Sequence, residues 1–432
     1  MKHPLLLLVF FTLLGFSGHA QRKKSAPPPP AFTFEDAIYQ PYIQSVQLYV
    51  EGLALSYPMI TLDASAPLVL EFDDLEGDVK DYFYRITYCD KDWQPAQISE
   101  MEYLDGFPED RISNYQFSFK TVAPYTHYTL RLPNASMAWK LSGNYLLSVY
   151  EEGYQDTPVF TRRFVIADPR LQMSAQLVRP SAVQKMRTHQ EIDFTLNTEK
   201  MPIRNPQQEI FAVVLQNGRW ETAISDLSPL FVRGNQLVFD YQDKIVFPAG
   251  KEFRQLDIRS LRFRSPMVAA IENLRDRSEV ILHKDQSREL QAYVEYNDIN
   301  GKFITETQDQ NNPLAANYAQ VLFSFSAEEP FYDQDVYLIG QFNNWKQLPE
   351  YKMTYNPAVN SYVLKVQMKQ GFYNYAYALA PRDMLPKSPN LSALEGDWFE
   401  TENDYTILIY YRPFGGRYDQ LIGLYHFNTR GQ

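Results

Sequence analysis

Leu68, Leu70 and Phe72 share one face of a short segment, and Glu71 and Asp73 share the other. That two-residue period is the mark of a half-buried strand. The turn-forming residues of Asp73-Asp74-Leu75-Glu76-Gly77-Asp78 break the alternation. A second run follows, with Tyr82, Tyr84, Ile86 and Tyr88 on one face and Arg85 and Thr87 on the other. The pattern predicts an antiparallel pair joined by an acidic turn. The same period recurs in Tyr115, Phe117 and Phe119, in Tyr128, Leu130 and Leu132, in Tyr145, Leu147 and Val149, and in Phe160, Phe164 and Ile166. Short runs of Tyr, Phe and Val, spaced by Gly, Pro and Asn, suit pleated, half-buried surfaces and predict a β-sandwich. No amphipathic helix of more than two turns is evident in this region.

The chain begins with Lys2, an apolar run Leu5–Gly15, and the small residues Ser17, Gly18 and Ala20 ahead of Gln21. This is the tripartite pattern of a cleavable secretory signal over residues 1–20. The run is shorter than the roughly 20 apolar residues that span a bilayer. No cysteine follows the cut, so no lipid anchor is expected. Cleavage leaves 412 of the 432 residues and, by removing Lys2, takes the net charge from −11 to −12. A chain so acidic is not expected to bind nucleic acid or anionic lipid through bulk charge.

Arg22-Lys23-Lys24 and Pro27–Pro30 mark a flexible leader over 21–33. The rest predicts an all-β chain of three consecutive β-sandwich domains, immunoglobulin-like or early-set-like: an N-terminal domain 34–168, a middle β-rich domain 169–312 and a C-terminal domain 318–430. The first boundary rests on Ala167-Asp168-Pro169-Arg170, where proline cannot extend a strand ladder. The second rests on the polar, breaker-rich stretch Thr307–Asn317. In the middle region Ile192, Phe194 and Leu196 alternate, as do Leu237, Phe239 and Tyr241. The apolar parity of Leu256 and Ile258 switches to that of Leu261 and Phe263 across Arg259-Ser260, which predicts a β-bulge or a bend.

Candidates for chemistry are few. Cys89 is the only cysteine, so no intrachain disulfide or cysteine metal cluster can form, and it reads as a small packed residue. The histidines, His3, His19, His127, His189, His283 and His426, lack metal-ligand spacing. His127, between tyrosines, reads as a hydrogen-bonded packing residue rather than a base. The turn Asp73–Asp78 offers carboxylates without the spacing of an EF-hand and reads as a solvated turn. Arg417 has Asp419 or Glu402 as candidate partners, or a second protein, with Gly415-Gly416 supplying turn geometry. No catalytic, cofactor-binding or metal-binding residue is expected.

Two resemblances bear on function. Val336–Leu379 is similar to the early-set β-sandwich of glycogen-binding modules, with Gly340, Phe342-Asn343-Asn344-Trp345, Met353, Gly371, Tyr373 and Tyr375 at corresponding points. In that reading exposed Trp345 or Tyr373 would stack on sugar rings; in the bland reading the same rings fill a core. The second resemblance is more literal. FDDLEGDVKDYFYRITYCDKDW from Phe72, EYLDGF at Glu102–Phe107, PYTHYTLRLPN at Pro124–Asn134, SGNYLLSVYE at Ser142–Glu151 and EGDWFETENDYTILIYYRPFGGRYDQLIG at Glu395–Gly423 closely resemble the plug protein family of the type IX secretion system. The resemblance implies a non-enzymatic periplasmic protein at the inner face of the outer membrane. Its partner would be the outer-membrane translocon β-barrel, whose periplasmic opening it occludes. A periplasmic glycan-binding module is the alternative.

Overall fold

The computed structural model describes residues 32–382 and 389–431. The expected secretory signal at 1–20 and nearly all of the expected leader lie outside them. Almost all regular structure is strand, in antiparallel-rich sheets stacked face to face around apolar interiors, an all-β architecture of sandwich type.

The first interior lies between two sheets. One carries Ile43–Val50, Leu68–Asp74, Thr126–Leu132 and Tyr115–Phe117 in that order; the other includes Phe160–Ala167, Gly143–Glu151, Tyr82–Cys89 and Glu109–Arg111. Leu68–Asp74 and Tyr82–Cys89 are both strands, but they do not pair with each other. They lie in opposite sheets, and the acidic turn is an arch between layers rather than a hairpin. Their inward faces meet across the core, where the rings of Phe72 and Tyr82 stand 5.3 Å apart, edge to face. Alternation reports which face is buried, and that is the same for a hairpin and an arch.

The second interior is built from distant parts of the chain. One wall carries Gln172–Val178, His189–Asn197, Gln236–Phe239 and Phe231–Arg233. The other carries Ile224–Leu227, Ile210–Gln216, Asp404–Tyr411 and Gln420–Asn428. Strands from 404–428 therefore complete the core of the middle region and not that of the C-terminal region, where the sequence boundaries put them. The third interior gathers Val268–Asn273 and Ser278–Leu282 beside Tyr318–Ser326 and Ser361–Lys369, facing Arg254–Asp257 and Phe303–Thr305 beside Gly371–Pro381. Sheet pairing thus crosses the boundary drawn at 312–318. Thr307–Asn317 is packed rather than free: Asp309 accepts from Ser260 Oγ at 2.6 Å and Leu261 N at 2.8 Å. The Leu314 carbonyl accepts from Phe119 N at 2.8 Å. Polar, breaker-rich composition is shared by tethers and by loops pinned through their side chains, so it did not separate the two. At Arg259 the chain bends out of the sheet, leaving Leu261 buried and Phe263 exposed.

Because its second wall needs strands from 404–428, a fragment of residues 169–312 is expected to show no cooperative thermal transition by circular dichroism, whereas the full chain melts cooperatively.

Candidate functional site

The charged residues buried between the packed interiors are the first place to look for chemistry. Asp73, at the end of Leu68–Asp74, is fully buried. Its Oδ1 lies 2.7 Å from His127 Nδ1, and its Oδ2 accepts from the Lys369 ammonium at 2.6 Å and the Tyr318 hydroxyl at 2.6 Å. Two of these partners come from strands of the third interior, so the carboxylate ties that body to the first. Burial pushes the Asp73 carboxyl up, but Lys369 and His127 outweigh it and hold it below its usual range. Burial likewise pushes His127 down, while hydrogen bonds to Asp73 and Glu71 raise it to about 9. His127 is therefore an imidazolium at neutral pH, with Nε2 facing Glu71 Oε1 at 3.8 Å. A ring protonated and held between two carboxylates is a packing ion, not a general base.

The two ends of the chain that carry the type IX resemblance meet at a second junction. Tyr88 donates to the Ser142 carbonyl at 2.7 Å and also to the Asp419 carbonyl. Lys91 N donates to Asp419 Oδ2 at 2.8 Å, and Tyr410 donates to Asn144 Oδ1 at 2.7 Å. Beneath these bonds Cys89, Trp93, Leu146, Val165 and Ala167 from one side pack with Val213, Leu215, Leu408, Tyr410 and Leu421 from the other. Even the expected linker takes part, as Asp168 N and Arg170 N donate to the carbonyls of Leu421 and Ile422 at 2.8 Å each. Burial pushes the Cys89 thiol up to about 12, which leaves it protonated and inert.

A third junction joins all three bodies. Tyr57 inserts against Gly218, donates to Asp404 Oδ2 at 3.2 Å, and has the Lys302 ammonium over its ring at 3.9 Å. A Cβ on Gly218 would lie 2.1 Å from the Tyr57 ring, and φ there is +67°. Only glycine fits this site.

The remaining sequence candidates resolve individually. The carboxylates of Asp74, Glu76 and Asp78 cluster within 4.8 Å, but the Lys80 ammonium reaches Asp74 at 2.9 Å and Asp78 at 4.0 Å and also pairs with Glu76. An internal cation thus supplies the charge a metal would bring. Arg417 pairs with neither Asp419 nor Glu402 but with Glu102 of the first body; Asp419 is held by Arg412 at 2.6 Å. The sugar platform is corrected outright. Trp345 is 7% exposed and packs on Phe253 and Gly301, and Tyr373 is 3% exposed and stacks on Phe303. Neither ring can meet a glycan, because each fills the interior. Sequence reasoning did not single out Lys369, Tyr318, Lys302 or Tyr57. A lone charged or aromatic residue at the end of a run carries no local signal of a partner hundreds of positions away.

The sequence pattern of the type 9 secretion system plug protein 1st domain matches residues 43–168. That span runs from the first residue of Ile43–Val50 to just past Phe160–Ala167. A crystal structure of a hypothetical protein from Parabacteroides merdae ATCC 43184 is similar at 32% identity, with 92% of this chain and 100% of that chain covered and a TM-score of 0.87. Native alpha-2-macroglobulin from Escherichia coli, spanning domains NIE-MG1, aligns over 46% of this chain and 89% of that chain at 9% identity and a TM-score of 0.17, too slight a likeness to carry an argument. No curated protein matches the chain.

Two outcomes are expected. Gly218→Ala lowers stability by about 3 kcal/mol through overpacking and a strained φ, read as a fall in the urea midpoint. The folded pKa of His127 is raised, so its contribution is fully present below about pH 6.5 and is lost as pH rises through about 9. His127→Gln should therefore abolish a loss of up to about 3 kcal/mol between pH 6.5 and 10, measured as the change in urea midpoint across that range.

Proposed function

Residues 43–168 match the type 9 secretion system plug protein 1st domain, and from that premise we propose that the chain is a non-enzymatic periplasmic plug that binds and occludes the periplasmic opening of the outer-membrane translocon barrel. The observation that carries the reading is the meeting of both family-like ends of the chain in one buried junction, which makes the packed bodies a stiff unit. A stopper must be stiff and large enough for its hole. A barrel of many strands encloses a wide aqueous lumen. A compact body of about 400 residues has a radius of gyration near 21 Å, so it is roughly 55 Å across.

The secretory signal at 1–20 supports delivery to the periplasm. No helix among the described residues is long and apolar enough to cross a membrane. His127, held between the carboxylates of Asp73 and Glu71 and raised to about 9, is tied up as an ion, which supports a role without turnover. Phe414, 98% exposed at the Pro413–Gly416 turn, lies in a family-like block, and the neighbouring Arg417 pairs with Glu102 in another such block that includes exposed Phe107. Exposed aromatic side chains of this kind are the anchors that protein interfaces favour.

The test is to purify the translocon from cells and probe its periplasmic end for this chain. Repeated absence of the chain from every state of the translocon sinks the proposal. Phe414→Glu is expected to fold normally and to weaken co-purification about tenfold or more, in line with the loss of one interface anchor.

A further inference from the structure

The sheet that carries Ile43–Val50, Leu68–Asp74 and Thr126–Leu132 ends in Tyr115–Phe117, so one side of that strand faces no other strand. Two backbone bonds fix which way its peptide groups point. Ser118 N donates to the Tyr125 carbonyl at 2.9 Å, and Thr129 N donates to the Asn114 carbonyl at 3.0 Å. With Gln116 opposite His127 in the same register, Asn114, Gln116 and Ser118 turn their peptide groups toward the neighbouring strand. Tyr115 and Phe117 therefore turn theirs outward, and among the described residues these groups meet no partner. The next outward donor, Phe119 N, is taken by the Leu314 carbonyl at 2.8 Å. The edge is thus open at Tyr115 and Phe117 and closed at Phe119.

Its side chains are equally unguarded. The facing sheet ends in Glu109–Arg111, whose charged residues blunt that edge in the usual way. Tyr115–Phe117 carries two aromatic rings instead, 6.1 Å apart on one face. Phe117 is 56% exposed, and Phe119 and Val122 are exposed just beyond it. Open peptide groups beside exposed apolar side chains are what an added strand needs: the backbone gives attachment and the side chains give preference.

The charge beside this edge says what kind of strand it suits. Phe117 stands opposite Thr126, whose hydroxyl donates to the Asp78 carbonyl at 2.6 Å. The acidic turn therefore borders the open edge. Its carboxylates, Asp74, Glu76 and Asp78, share the single ammonium of Lys80, and the Glu76 and Asp78 side chains are more than half exposed. Among the described residues no other cation pairs with Glu76 or Asp78. That excess of negative charge favours a partner that brings lysine or arginine. A second copy pairing edge to edge would bring the same acidic turn with it, like charge toward like.

We propose that the Tyr115–Phe117 edge takes up an extended segment of another polypeptide as an added strand, with alternate apolar side chains lying on Tyr115 and Phe117 and a flanking lysine or arginine meeting Glu76 and Asp78. The proposal does not depend on occlusion of the translocon.

The experiment is fluorescence anisotropy of the full chain with the fluorescein-labelled peptide Lys-Val-Thr-Val-Thr-Val-Lys. Saturable binding is expected. The same peptide with its valine and threonine nitrogens methylated cannot donate to an edge and should bind about tenfold more weakly or worse. The version with glutamate in place of both lysines should weaken by a similar factor of about ten. Phe117→Lys, which puts a guarding charge on the edge, should also weaken binding about tenfold or more with an unchanged melting temperature. The proposal is overturned if the lysine peptide does not bind, including where sedimentation shows the chain pairing with itself through this edge. It is overturned equally if the methylated or the glutamate peptide binds as tightly as the parent, or if a normally melting Phe117→Lys binds as the natural chain does. Should Phe117→Lys lower the melting temperature, the methylated peptide on the natural chain decides: undiminished binding there overturns the proposal.

Discussion

The strand Asp404–Tyr411 is buried along all but its last residue, and its two faces fill two different interiors. Tyr405, Ile407 and Ile409 enter the second core, while Leu408 and Tyr410 enter the junction with the first body. Its neighbour Ile210–Gln216 divides the same way, with Ile210, Ala212 and Val214 on one side and Val213 and Leu215 on the other. One sheet is thus a shared wall. Neither body can shift against the other without exposing apolar area worth roughly 25 cal/mol per Å². The ionic junctions at Asp73 and Asp404 add direction to an attachment whose strength comes from this wall.

What was legible in the sequence follows from burial. Strands that alternate apolar with mostly polar side chains carry a two-residue period, and the runs at Leu68–Phe72, Tyr82–Tyr88, Tyr128–Leu132 and Ile192–Leu196 were found by it. Tyr-Thr-Ile-Leu-Ile-Tyr-Tyr in 405–411 and Ile-Phe-Ala-Val-Val-Leu in 210–215 do not alternate, because both faces are dry. A continuous apolar run says that a strand is enclosed but not by what. The boundary between the middle and C-terminal regions was misplaced for that reason. The type IX resemblance at Glu395–Gly423 marked the right residues without saying that they return to the middle core.

Buried charge was the least legible part. Asp73 was read as one of several residues of an acidic turn, and His127 as a packing residue with an unspecified partner. The structure makes them partners and adds Lys369 and Tyr318 from strands that the sequence offers no reason to bring near. A buried carboxylate with full hydrogen bonding is costly to disrupt and adds little net attraction. Its value here is positional, since the ion fixes which residue of one body faces which residue of the other.

The body between residues 254 and 395 interrupts the middle sheet in chain order, and the pairing of Ile210 with Tyr411 is correspondingly long-range. Such contacts are slow to form, because the entropy of closing the intervening loop must be met first. The interrupting body shortens that search. Arg254 at its entry and Glu395 at its exit are joined by an ion pair at 3.0 Å, so once it folds, the two flanking segments start side by side. A nascent chain can complete this body before its last strands emerge, and the late arrival of 404–411 then becomes a local docking step onto an edge already waiting for it.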